Sequence, residues 1–191
     1  MVRRSILAVA VAWVLASPLA GQSRFPLSFQ ASGAAVKQIK NHNLDGSTGG
    51  NYPVSIGFEG QVRYSMASAL SIGVGGQFSD LGDYDGTRLL IGFVEPRVRI
   101  NVSGGKIGPY VTSRIGFGRI TYIDPDDHVA PYDRFSKNGV SIGGGAGILY
   151  RFSRRIGLDL GVLINGSPQP VATYILGRFG LSIGLGQPRR L

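Results

Sequence analysis

The 191-residue chain contains no cysteine. A disulfide-stapled fold, a cysteine-ligated zinc site, a thiol enzyme and a lipid anchor on an N-terminal cysteine are therefore excluded. Charged residues are also scarce, at 16% of the chain, whereas 43% of the residues are hydrophobic. A chain with this apolar content buries enough surface to offset its ordering entropy, so it is expected to fold, and its length fits one domain.

Long apolar runs are scarce as well. The stretch from Ile6 to Ala16 has 11 residues, whereas a membrane-spanning helix needs about 20. It follows Arg3 and Arg4 and precedes small residues, which is typical of a secretory signal peptide rather than of a retained membrane helix. We expect residues 1–20 to be a signal peptide cleaved after Ala20, with cleavage after Ala16 as the alternative. Without a spanning helix, the mature chain could cross a membrane only as a closed barrel.

The rest of the sequence has a period of two. Leu70, Ile72 and Val74 alternate with small or polar residues, which is the pattern of a β-strand. The eight segments with this pattern are residues 24–38, 52–65, 69–79, 88–102, 107–123, 139–152, 156–165 and 171–185. Short and long connections alternate between them, as in bacterial outer-membrane barrels. The predicted fold class is all-β: an eight-stranded antiparallel up-and-down transmembrane β-barrel over residues 21–191.

A soluble eight-stranded barrel is the competing interpretation, and it would carry a hydrated polar face on its outside. Here the polar face consists largely of small residues, such as Ser141, Gly143 and Gly145, which suit a narrow lumen. The opposite face, with Val140 and Ile142, suits lipid. Aromatic residues near strand ends are predicted to form interfacial girdles; they are Phe25, Tyr52, Tyr64, Tyr150, Phe152 and Tyr174.

The predicted lumen contains charges of both signs. Its acidic residues are Glu59, Glu95 and Asp159, and the arginines of the same parity are Arg63, Arg97, Arg99, Arg114, Arg151 and Arg178. An eight-stranded barrel is about wide enough for its own side chains, and unpaired charges inside it would be costly. We therefore expect an ion-pair network that plugs the lumen. A charged filter in a pore is the alternative, but it needs more strands than this chain supplies.

Two turns set testable registers. If Val102 faces Ile107, paired residue numbers sum to 209, which places Glu95 opposite Arg114. If Phe152 faces Ile156, Arg151 becomes a diagonal neighbour of Asp159.

The net charge of +9 does not indicate nucleic-acid binding, because the surplus cations lie at the strand ends and turns of the predicted periplasmic side. They are Arg24, Lys106, Arg154, Arg155, Arg189 and Arg190. Outer-membrane lipid phosphates are the expected partners of these residues. The long loops are acidic, as in Asp80, Asp83 and Asp85, but their spacing does not match a calcium loop. No metal or cofactor is predicted.

With these features, the mature chain resembles the small outer-membrane β-barrel domains of the OmpA or OmpX type. The last strand carries Arg178, Gly180, Ile183 and Leu185 at the spacing of the signal that the barrel-assembly machinery recognises in such proteins. This chain departs from the family in the residues after that strand, since the family commonly ends on an aromatic residue. The resemblance implies an integral outer-membrane barrel and names no substrate.

The resulting hypothesis is a structural or surface-contact role in the cell envelope, with an unidentified partner for the outer loops and no enzymatic activity. A barrel enzyme that modifies lipid A is one alternative, but it needs a histidine base. The chain has only His42 and His128, both in predicted loops. A conduit that releases small hydrophobic molecules sideways through the wall is the other alternative, favoured by the glycines of the third and sixth strands.

Overall fold

The computed structural model describes residues 26–41, 54–67, 69–81, 88–100, 106–123, 134–153, 155–166 and 172–185. These residues form eight strands: β1 (Leu27–Asn41), β2 (Val54–Ser65), β3 (Leu70–Asp80), β4 (Arg88–Arg99), β5 (Ile107–Ile123), β6 (Arg134–Arg151), β7 (Ile156–Gly166) and β8 (Ala172–Leu185). Each strand pairs antiparallel with its neighbour in sequence, and β8 pairs with β1 to close the barrel. The all-β, eight-stranded antiparallel up-and-down fold is confirmed.

The bounds of the strands agree with those of the eight predicted segments to within a few residues, except at the start of β6. That strand begins at Arg134 rather than at residue 139, because its ladder with β5 continues to the pair Ile123 and Arg134. The hairpin of β5 and β6 therefore extends further than its apolar pattern does. The described part of the chain contains no helix that is long and apolar enough to cross a membrane.

The apolar residues of the alternation lie on the outside of the barrel. Ile56, Phe117 and Ile142 are 67%, 63% and 65% exposed. The residues that alternate with the apolar ones line the inside, where Glu59 is only 5% exposed and Ser141 only 2%. This is the reverse of a soluble globular protein, in which large apolar patches are buried.

The inside of the barrel has three layers. An apolar cluster fills the end that carries the long loops, and its members are Ala34, Val36, Leu81, Leu89, Ile91, Phe93, Ile120, Leu163, Tyr174 and Leu176. A charge network, described below, lies in the middle. A cavity lies at the end that carries the short turns and the ends of β1 and β8.

The apolar cluster corrects two expectations. The lumen is polar over only part of its length, because β4 changes at Glu95 from apolar to charged inward residues. Tyr174 does not belong to an outer girdle, since its side chain is fully buried in the apolar cluster. It has the inward parity of Arg178, four residues further along β8. Tyr64 and Phe152 do lie outside, at 47% and 59% exposure.

Several predictions concern residues outside the described part of the chain. They include the signal peptide at residues 1–20, both histidines, and the girdle residues Phe25 and Tyr52. Of the loop carboxylates Asp80, Asp83 and Asp85, only Asp80 lies in a described segment.

Candidate functional site: the charged lumen

Glu95 is the centre of the charge network. It lies on β4 with no exposed surface, and it accepts charge-assisted hydrogen bonds from arginines on four strands. The distances from its carboxylate oxygens to the nearest guanidinium nitrogens are 2.6 Å for Arg63, 3.2 Å for Arg97, 2.6 Å for Arg114 and 3.0 Å for Arg178. One carboxylate therefore links β2, β4, β5 and β8 across the lumen.

The other two carboxylates share the same arginines. Glu59 on β2 accepts from Arg114 Nη1 at 2.5 Å and lies 3.3 Å from Arg178 Nη1. Asp159 on β7 accepts from Arg97 Nη1 at 2.6 Å and lies 3.6 Å from Arg178 Nε. Seven of the nine predicted lumen charges thus form one continuous network, which adds β7 to the linked strands.

Neutral side chains complete the network. The Tyr110 hydroxyl donates to Asp159 Oδ1 at 2.6 Å and accepts from Arg178 Nη2 at 3.0 Å. Gln77 Oε1 accepts from Arg114 at 2.9 Å, and Gln61 Oε1 accepts from Arg63 at 2.8 Å. These contacts satisfy guanidinium donors that the carboxylates do not reach, which is needed where water is excluded.

Two aromatic rings also contact the arginines. The Arg97 guanidinium carbon lies 3.8 Å from the centre of the Tyr110 ring, and that of Arg114 lies 3.9 Å from the centre of the Phe93 ring. A cation over a desolvated ring face is attracted by the ring quadrupole. Phe93 thereby joins the charge network to the apolar cluster above it.

The predicted register between β4 and β5 is the one that the structure has. Val94 pairs with Ile115 and Arg97 with Thr112, so the residue numbers sum to 209 on both sides of Glu95 and Arg114. Pro96 lies within this stretch, and its carbonyl accepts from the Thr112 hydroxyl at 2.7 Å.

Arg99 and Arg151 differ from the prediction. The register of β6 and β7 is as expected, since Arg151 pairs with Gly157 two residues from Asp159. However, Asp159 already contacts Arg97 and Tyr110, and no ion pair joins Arg99 or Arg151 to any residue within the described segments. Both line the cavity at the short-turn end instead.

The glycines of the lumen face make room for these side chains. A Cβ atom on Gly147 would overlap the Tyr110 ring and hydroxyl, and one on Gly73 would overlap Gln61 and crowd the Arg63 guanidinium. Similar crowding from the Asn165 side chain exists at Gly143. At these positions the missing side chains leave space that neighbouring residues occupy.

Tyr110 was missed at the sequence level, although its parity was informative. It lies two and four residues before Thr112 and Arg114 on the inward face of β5. A tyrosine on a lumen face can donate to a carboxylate, but nothing in the strand pattern indicated that Asp159, 49 residues away, would be its partner.

The four residues of the predicted assembly signal divide between the two faces of β8. Arg178 and Gly180 face inward, and Ile183 and Leu185 are exposed at 43% and 36%. Gly180 permits a close approach to β1, because a Cβ atom there would overlap the Ser32 side chain and crowd the Ala31 carbonyl. The recognition of these residues by the assembly machinery stays a prediction.

The chemistry of this arrangement is electrostatic. Within the described residues there is no group of three histidine, aspartate or glutamate side chains placed to hold a metal ion. Moving several charges out of water is expensive, and such a network is sustained by the number of its mutual contacts. The network therefore acts as a cross-link between strands that are not neighbours in the sheet.

No protein-family model and no curated protein matches the chain. Solved structures do. Neisserial surface protein A matches with a TM-score of 0.65 and 14% identity, over 84% of this chain and 97% of that one. The N-terminal β-barrel domain of Pseudomonas aeruginosa OprF matches with a TM-score of 0.57 and 13% identity, over 82% of this chain and 96% of that one. Ail, the attachment invasion locus protein of Yersinia pestis, matches with a TM-score of 0.54 and 14% identity, over 82% of this chain and 96% of that one. This chain therefore has the fold of the small eight-stranded outer-membrane β-barrels.

Proposed function

We propose that the protein is an integral outer-membrane barrel whose lumen is closed to ions, and that it serves as a rigid support for surface loops in the cell envelope. The observation that carries this proposal is the combination of a lipid-compatible outer face with a lumen crossed by seven buried charges. The fold shared with outer-membrane barrels supports the location.

The outer face supports insertion into a membrane. Large apolar side chains are exposed on all eight strands, as at Phe29, Phe58 and Leu160. A continuous apolar belt of this kind is too large for a soluble monomer, but it matches the hydrocarbon region of a bilayer. We expect the protein without residues 1–20 to require detergent or lipid to stay monodisperse. A monodisperse preparation in plain buffer would contradict the membrane location.

The interior supports a closed lumen. Arg114 contacts two carboxylates from other strands and Arg178 contacts three, so their guanidinium groups extend across the barrel. Above them, the apolar cluster disfavours the entry of hydrated ions. The small residues that could favour a conduit are crowded by neighbouring side chains, as at Gly73 and Gly147.

The segments that the barrel holds at its long-loop end support a role at the surface. The connections between strands at the long-loop end comprise residues 42–53, 82–87, 124–133 and 167–171. A cross-linked barrel fixes the distances between the strand ends from which these segments leave. Fixed anchors lower the entropy that a binding surface built on them loses on contact with a partner. We propose an extracellular partner for these segments, whose identity the barrel does not specify.

Ion conductance tests the closed lumen. The refolded protein is inserted into planar bilayers, and insertion is verified separately by flotation with vesicles. We expect no steady conductance from the wild type. A variant that combines Glu95→Ser and Arg114→Ser with Leu89→Ala and Ile91→Ala, and so removes the central ion pair and part of the apolar cluster, should conduct more than the wild type. Steady wild-type conductance would refute the closed lumen.

A deletion strain tests the surface role. Complementation with the full protein should restore envelope integrity or surface binding, while a version with residues 42–53 and 124–133 replaced by short turns should insert but fail to restore it. Full complementation by the version without these segments would contradict the proposed surface role.

A further inference from the structure

The cavity at the short-turn end of the barrel is strongly basic. Five arginines line it, namely Arg63, Arg97, Arg99, Arg151 and Arg155. Serine hydroxyls, including those of Ser28 and Ser182, are part of the same wall. None of the lining residues is acidic. The cavity therefore presents many hydrogen-bond donors and a concentrated positive charge.

Within the described residues, the positive charge in the lumen exceeds the negative charge. Apart from Arg155, which is exposed at the rim, the charges of the network and this cavity comprise three carboxylates and six arginines, and the carboxylates contact only four of these arginines. Arg99 and Arg151 are partly buried and have no ion-pair partner within the described segments. Arg63 Nε and Arg97 Nε are buried donors that also lack a partner there.

The sequence around this end supplies no further counter-charge. Segments 21–25, 101–105 and 186–191 adjoin it along the chain, and none of them contains aspartate or glutamate. Two of these segments add arginines instead. Guanidinium groups in a partly desolvated space repel one another, so an anion from outside would lower the energy of this end.

We propose that this cavity is a binding site for a phosphate group, with Arg99 and Arg151 as its main ligands. The planar guanidinium fork matches a phosphate through two parallel hydrogen bonds, and serine hydroxyls can donate to the remaining oxygens. The cavity has a volume of about 60 Å³. One water needs roughly 10–15 Å³, so the cavity could hold a few waters or one tetrahedral oxyanion.

Two sources could supply this phosphate: a phospholipid headgroup or the free anion. Ile156 also lines the cavity and is 45% exposed on the apolar outer face, so the cavity reaches the rim of the barrel. A lipid at the rim could place its phosphate among the arginines and its chains against that outer face. The lipid source rests on the proposed membrane location, whereas the anion chemistry rests on the cavity alone.

The test uses the refolded full barrel in non-ionic detergent and two probes, inorganic phosphate and a short-chain phosphatidic acid. Isothermal titration calorimetry should give saturable binding of at least one probe, and binding should be about tenfold weaker or worse in the double variant Arg99→Gln, Arg151→Gln. The matched control Arg88→Gln, Arg119→Gln removes two exposed arginines from the long-loop half and should bind as the wild type does.

The two probes separate the sources. Binding of phosphatidic acid alone indicates a lipid headgroup, and binding of both probes indicates a site for the phosphate group itself. The proposal is overturned if neither probe saturates, or if the double variant binds as well as the control. A barrel that needs detergent but binds no phosphate would overturn this inference and leave the proposed function intact. A protein that is soluble without detergent and binds phosphate would overturn the proposed function and leave this inference intact.

A measurement on the wild type alone covers the case in which the double variant fails to fold. A ligand that binds only the folded state raises the unfolding midpoint with its concentration. The urea midpoint should therefore rise and then level off with increasing concentration of at least one of the two probes, whereas chloride at equal ionic strength should give no such saturating rise. The proposal is overturned if neither inorganic phosphate nor phosphatidic acid gives a rise that saturates.

Discussion

Replacing Glu95 with glutamine is the most informative single change in the lumen, because it keeps the shape of the side chain and removes only its charge. Four arginines lose a carboxylate partner, but the loss is unequal. Arg97 keeps Asp159 at 2.6 Å, and Arg114 keeps Glu59 at 2.5 Å. Arg63 has no second carboxylate, and it retains only neutral partners such as Gln61 at 2.8 Å.

The expected loss of stability depends on how many carboxylate partners each arginine keeps. Removing one partner of a buried ion pair costs about 3–5 kcal/mol, since the remaining charge is left without compensation. We expect Glu95→Gln to lower the free energy of unfolding by about that amount. Glu59→Gln should cost less, about 1–3 kcal/mol, because both of its arginines keep Glu95. Adding Arg63→Gln to Glu95→Gln should restore part of the lost stability.

The assay is reversible urea unfolding in lipid vesicles, followed by circular dichroism. Tryptophan fluorescence is unsuitable because the only tryptophan, Trp13, lies in the predicted signal peptide. Arg119→Gln, at an exposed position, is the control and should change stability by no more than about 0.5 kcal/mol. If Glu95→Gln were no more destabilising than this control, the network would not stabilise the barrel as argued.

Three further predictions concern other parts of the molecule. Gly147→Ala should destabilise the barrel by about 1–3 kcal/mol, since its Cβ would overlap Tyr110, whereas Gly60→Ala, with no atom within 4 Å of the new Cβ, should be tolerated; equal urea midpoints would contradict the close packing. Tyr110→Phe should cost about 1.5–3 kcal/mol, because the hydroxyl donates to Asp159 and accepts from Arg178; an unchanged unfolding curve would contradict that role. Alanine at both His42 and His128 should leave the lipid A composition unchanged in mass spectra, and an altered acylation pattern would instead support the enzyme alternative.

Much of the fold could be predicted because successive side chains of a strand point to opposite faces of the sheet. Leu70, Ile72 and Val74 identify the outer face without knowledge of any partner strand. The short turn after β4 sets the register of Glu95 and Arg114 by counting. The start of β6 was harder to predict, because its extension to Arg134 depends on hydrogen bonds to β5 rather than on an apolar pattern.

The partners across the lumen could not be predicted in the same way. Parity places Glu95, Arg63 and Arg178 inside, but their depth and the lengths of their side chains determine which groups meet. Asp159 illustrates the difficulty: the nearest predicted arginine in sequence was Arg151, yet its partner is Arg97 from the far side of the barrel. Closure of the sheet brings β4 and β7 within reach of each other, and no local pattern records that distance.

The sequence by itself determined the number of strands, their order and the side of each residue, because these follow from a period of two and from connection lengths. The tertiary structure decided which charges pair, which glycines make room for Tyr110, and that Arg99 and Arg151 line a cavity rather than join the network. The physical reason is that parity is a property of one strand, whereas an ion pair across a barrel depends on the curvature and closure of all eight.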